Sequence, residues 1–128
     1  MKAKELMIGD WVEYNNDTME VIFNARVTEI GKDYIKTDHT GGDECFEDEI
    51  EPIPLTEEIL EANEWKCYNT FNQYSHSAAP FELQKESGCW SARAEADEYG
   101  SSTFACIAYL HELQHLLKLV GIDVEIKL

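Results

Sequence analysis

The residues best suited to chemistry in this chain are His111, Glu112 and His115, which form the pattern H-E-x-x-H inside YLHELQHLLKLVG. On a helix, side chains four positions apart share a face. Two imidazoles at that spacing can hold one zinc ion while the carboxylate between them activates its water. In a zinc-dependent hydrolase, His111 and His115 would be the ligands and Glu112 the general base. Three properties of the sequence weigh against this. The pattern arises by chance in about 2 of 100 shuffles of such a composition, so the match alone is weak. No His or Cys follows His115, and in the extended form H-E-x-x-H-x-x-G-x-x-H, Lys118 and Gly121 stand where a Gly and the third His belong. Finally, an advance of about 100° per residue puts Leu110, Leu113, Leu116, Leu117 and Val120 on one arc. His111 and His115 fall on the opposite arc with Lys118. The expectation is a helix that presses its leucines inward and leaves both imidazoles in water. No metal, cofactor or catalytic residue is expected.

The other candidates are weaker. His39 lies in a Gly/Asp-rich stretch and His76 in a Ser/Ala-rich one, and both read as exposed imidazoles. No P-loop, dinucleotide fingerprint or G-x-S-x-G elbow is present. Trp11, Tyr14, Phe23, Trp65, Trp90 and Phe104 are expected in the core rather than on a base-stacking platform. The four cysteines, Cys45, Cys67, Cys89 and Cys106, form no C-x-x-C. They are expected as reduced thiols, mostly buried as small hydrophobes.

Charge is the more distinctive property. Against 10 basic residues stand 26 acidic ones, for a net charge of −16. Residues 37–65 contain no Lys or Arg but eleven acids. Such a field repels phosphate backbones and disfavours direct nucleic-acid binding. Charge runs of this kind ordinarily serve as solvated faces. The sharper reading is an acidic surface that imitates nucleic acid and occupies a basic surface on another protein. Its residues would be Asp38, Asp43, Glu44, Glu47, Asp48, Glu49, Glu51, Glu57, Glu58 and Glu61.

These residues need a scaffold. At 128 residues the chain can bury one modest core or two small lobes. No apolar run approaches the roughly 20 residues needed to cross a bilayer, and MKAKELMIGDW lacks the apolar stretch of a secretory signal. No membrane association and a cytoplasmic location are therefore expected. The pattern predicts an α+β protein. Residues 1–55 form an N-terminal SH3-like small β-barrel, with strands in LMIGDWVEY, MEVIFNARVTEI, YIKT, CF and IEPIPL, and NNDT and GKD as turns. Thr56 caps a short joint helix over TEEILEAN. Residues 56–128 form the second lobe, a small antiparallel sheet covered by a C-terminal helix over residues 109–120 with Gly121 at its end. Its strands are EWKCYNTF, FELQK, CWSARAEA and TFACIA; NQYSHSAAP reads as a soft loop and IDVEIKL as a tail or final strand. Trp90, Ala92, Ala94 and Ala96 are expected on one face of their strand, with Ser91, Arg93 and Glu95 on the other.

Three stretches, KELMIGDWV, IEPIPLTEEILEANEW and YLHELQHLLKLVGIDVEI, resemble a large uncharacterised family encoded by prophages and mobile elements of Bacteroides-type gut bacteria. The resemblance covers both ends and the centre of the chain. It implies a phage or mobile-element setting in a bacterial cytoplasm, and it carries over no activity and no catalytic residue. The expected function is a non-enzymatic accessory protein that binds, and inhibits, a host or phage protein such as a defence nuclease. A second reading is a protein that sequesters a small ligand in a pocket between the lobes. The zinc hydrolase is the third.

Overall fold

Alternating burial builds the first sheet. In β3 (Tyr34–Thr37) the side chains of Ile35 and Thr37 turn inward, and in β2 (Val21–Ile30) those of Ala25 and Val27 do. With β1 (Trp11–Asn16), β4 (Glu44–Phe46) and β5 (Ile50–Pro52) they form an antiparallel sheet in the order β4-β3-β2-β1-β5. The computed structural model describes residues 1–16, 21–38, 44–68, 72–94 and 103–128. It divides into two units, Met1–Ile53 and Pro54–Leu128.

The core of the first unit gathers Ala3, Leu6, Val12, Val27, Ile35, Cys45 and Ile50. Ahead of β1, Gly9 takes a φ of 94°, and the fully buried Asp10 accepts the Met7 N–H at 2.7 Å. Gly31 lies under the Tyr34 ring, where a Cβ would collide with it. Pro52 sits on the edge strand opposite Val12, where its missing N–H costs no ladder bond. The 3-10 turn Glu47–Glu49 leads from β4 into β5. These two strands are the edges of the sheet, which is not a closed barrel.

In the second unit, α1 (Glu57–Ala62) starts where the Thr56 hydroxyl accepts the Ile59 N–H at 3.3 Å. The strands β6 (Lys66–Cys67), β7 (Gln73–Ser75), β8 (Phe81–Lys85), β9 (Trp90–Ala94) and β10 (Thr103–Ile107) follow as a meander, in the order β10-β9-β8-β7-β6. The closing helix, α2 (Leu110–Leu119), buries Leu110, Leu113, Leu116 and Leu117 and stops before Gly121, whose φ is 79°. Leu55 ties its start to the sheet: the Trp90 Nε1–H donates to the Leu55 carbonyl at 3.0 Å, and the Leu55 N–H donates to the Ala108 carbonyl at 3.0 Å.

Several expectations fail here for identifiable reasons. The stretch read as a soft loop contains β7, a strand of only three residues. Of the two readings of residues 122–128, a tail or a final strand, the tail holds, with Ile126 buried. Ser91, expected on the face opposite Trp90 and Ala92, is itself buried, at a position that pairs with Gln84 on one side and Cys106 on the other. Ala94 is exposed, and residues 95 and 96 lie outside the described ones. Trp65 and Trp90 are core residues as expected, but Phe104 is exposed, because a register shift between Thr103 and Ala105 re-aims it. Cys89 and Cys106 are joined in a disulfide rather than reduced. Pairing of Ser91 with Cys106 and of Trp90 with Ile107 brings the two Cα atoms to 6.2 Å, within disulfide range. Cys45, buried, and Cys67, exposed, take no part in this disulfide.

Candidate functional site

On α2 the three residues of H-E-x-x-H have other occupations. Glu112, the third residue of the helix, turns its carboxylate back to accept the Ala108 and Tyr109 N–H groups, each at 3.1 Å. This is the glutamate half of a capping box, satisfying donors that the helix itself leaves open. The His111 and His115 rings meet edge to face at 5.5 Å between centroids. Among the described residues, no three His, Cys, Asp or Glu side chains converge as a metal site. The expected exposure of both imidazoles does not hold. His111 is 7% exposed and His115 half-buried. The Tyr109 ring stacks on His111 at 6.0 Å while His115 flanks it, so the helix's own neighbours cover His111.

The ten nominated acids divide between the two units. In the first, the Asp38 carboxylate accepts the Arg26 N–H at 2.9 Å, beside the register shift in β2. Glu47 accepts the Ala3 N–H at 2.8 Å, and Glu49 is half-buried. Glu44, Asp48 and Glu51 are exposed, and among the described residues none of these three is held in an ion pair. Asp43 and His39 lie outside the described residues. In the second unit Glu57 pairs with the Lys85 ammonium at 3.2 Å, while Glu58 and Glu61 are exposed on α1.

A hollow of about 830 Å³ lies within the second unit, lined by Glu61, Glu64, Trp65, His76 and Glu82 among others. Its geometry starts at the end of α1. The Trp65 N–H donates to the Leu60 carbonyl at 3.0 Å and the Glu64 N–H to the Glu61 carbonyl at 3.4 Å, a Schellman turn around the cap residue Asn63. That turn needs a left-handed residue, and Glu64 takes the position with a φ of 69°. A glycine would adopt this conformation without the Cβ penalty. Trp65, almost fully buried, then stands against Phe81 at 5.7 Å and His76 at 5.4 Å. The pairing of Lys66 with Ser75 explains the second contact: one step further along the ladder sets Trp65 opposite His76.

His76 was expected in water, yet its side chain is 6% exposed. Its Nδ1 accepts the Ala78 N–H at 3.0 Å. The Glu64 carboxylate, on a side chain 85% exposed, stands 4.0 Å from Nε2. Next to the hollow, the Tyr68 hydroxyl donates to Glu82 at 2.5 Å, with the Gln73 Oε1 a competing acceptor at 3.1 Å. Burial, then the hydrogen bond and charge of Glu82, pushes the Tyr68 phenol up to about 12. Burial followed by the charge of Glu57 raises Tyr74 to about 12 as well. In the first unit the Tyr34 phenol is raised by its hydrogen bond to Glu29.

The sequence does carry a signal for His76. It shares strand parity with Tyr74, so reading QYSH as a strand turns both side chains inward. Compared with protein-family models, with curated proteins and with solved structures, the chain matches none.

Proposed function

We propose that this protein is a non-enzymatic accessory protein of phage or mobile-element origin. It binds and inhibits a host or phage protein with a basic surface, such as a defence nuclease, in the bacterial cytoplasm. The observation that carries this reading is the set of exposed carboxylates of Glu44, Asp48 and Glu51, without an ion-paired cation among the described residues, in a stretch that has no Lys or Arg. Carboxylates that are not tied up in ion pairs keep their field for a partner, and that field speeds docking and excludes acidic competitors. We read the first unit as an SH3-like curled sheet. The route of the chain from β4 through one 3-10 turn into β5 supports this. The curl would present the three carboxylates on a rigid edge. Among the described residues no helix is long and apolar enough to cross a membrane.

The test compares wild-type protein with the triple variant Glu44→Lys, Asp48→Lys, Glu51→Lys as baits in a Bacteroides lysate. The expected partner is eluted by about 0.5 M salt, where screening collapses the field. It is displaced by duplex DNA and binds the triple variant about tenfold more weakly. A partner retained equally by both baits, or no salt-sensitive partner at all, overturns the reading.

A further inference from the structure

We infer that the hollow of the second unit recognises a small organic cation that also bears a hydrogen-bond acceptor. His76 is the donor to that acceptor, and Glu61, Glu64 and Glu82 are the counter-charges. The inference goes beyond the acidic-edge reading and stands on different residues.

The first support is the protonation geometry of His76. A ring nitrogen that accepts the Ala78 N–H at 3.0 Å carries no proton. The hydrogen-bond network therefore assigns the single proton of the neutral ring to Nε2. That atom is buried and has no hydrogen-bond partner. The Glu64 carboxylate, at 4.0 Å, lies beyond hydrogen-bond reach. Buried donors are nearly always satisfied, so an unmet one on a residue that lines a hollow marks a place for an acceptor.

The second support is charge. Three carboxylates line the hollow against one ammonium, that of Lys66. Glu64 has an exposed side chain and is free to swing onto a ligand. The Ser75 and Ser77 hydroxyls add adaptable donors and acceptors. A volume of about 830 Å³ suits a molecule of a few rings or less. The ligand class follows: a cationic nitrogen placed among the carboxylates, and a carbonyl or hydroxyl oxygen facing Nε2–H. Anionic molecules are repelled.

The experiment uses the full chain and two kinds of nuclear magnetic resonance measurement. Long-range proton–nitrogen spectra read the His76 tautomer directly, and the proton is expected on Nε2. Titrations with argininamide and glucosamine then probe the hollow, with glucose and glucose 6-phosphate as neutral and anionic controls. At least one cation is expected to shift the His76 and Trp65 signals saturably, with a Kd below about 1 mM, while the controls leave them in place. Glu64→Gln and Glu82→Gln should each weaken that binding about fivefold. His76→Phe, which keeps a ring beside Trp65 but removes the donor, should abolish it. His76→Gln, whose amide retains an N–H, should keep part of it and decides the matter if the Phe variant fails to fold. A proton on Nδ1, no saturation by either cation, equal binding of glucose 6-phosphate, or Gln variants that bind like wild type would each overturn the inference.

Discussion

On α2, Glu112 sits between two histidines with its carboxylate bonded to the backbone at the start of its own helix. Beyond the end of α1, Glu64 faces a single buried histidine with its carboxylate exposed. The first arrangement has the spacing of a metalloenzyme; the second has no motif. What separates them is where the polar atoms are bonded. Helical spacing specifies a shared face, but it does not say whether a carboxylate on that face remains available. Glu112 serves the helix terminus, because the first-turn N–H groups are donors that must be met. Glu64 occupies a left-handed position where glycine would be more comfortable, and among the described residues its carboxylate makes no hydrogen bond that would offset the strain.

Three measurements bear on that contrast. The largest effect is expected from replacing Cys89 and Cys106 with Ser. Their 17-residue separation implies a loss of about 3 kcal/mol in denaturant unfolding. Because both histidines lie in the same compact unit, signals of His76 and His111 should disappear in one transition. Melting of α2 ahead of the hollow would show that the two regions are independent. Cytoplasmic thiol buffers tend to keep such pairs reduced, so counting free thiols in protein taken from its host also reports its compartment. A smaller effect separates the two glutamates by sign. Glu112→Ala should lower stability by about 1 kcal/mol through loss of the cap. Glu64→Gly should raise it by up to about 1 kcal/mol by relieving the left-handed backbone. Destabilisation by both would remove the distinction drawn here.

A further effect lies at alkaline pH. Tyr68 and Tyr74 are raised from 10.0 to about 12. In the folded protein they therefore hold protons that the unfolded chain has lost. Their contribution is fully present below pH 10 and disappears as pH rises toward 12. Absorbance near 295 nm should show late-titrating phenols in the native protein, and Tyr68→Phe should remove one. Phenols that all titrate near pH 10 would contradict the environment described beside the hollow.

Much of the scaffold was legible in the sequence. YIKT and FELQK are strands to the residue, Thr56 caps α1, and Gly121 ends α2. Each is a local signal, an alternation or a cap. What escaped was non-local. β7 is too short to announce itself as a strand, and the parity shared by Tyr74 and His76 gains its direction from the register with β8, where Tyr74 faces Leu83. The burial of His76 follows from that pairing. The cysteine cross-link depends on the β9–β10 register rather than on spacing along the chain. His111 failed the wheel argument because a wheel allows for one neighbour, while Tyr109 and His115 supply others from the helix itself.

Asn63 has one further consequence. Its side-chain amide donates to the Ile59 and Lys127 carbonyls, each at 2.8 Å, and accepts the Lys127 N–H at 2.7 Å, imitating a peptide group in a two-way backbone pairing. The last residues thus act as a latch on the helix that carries Glu61 and leads into Glu64. Proteolytic trimming that removes Lys127 would release the latch and loosen one wall of the hollow while leaving every residue that lines its far side untouched.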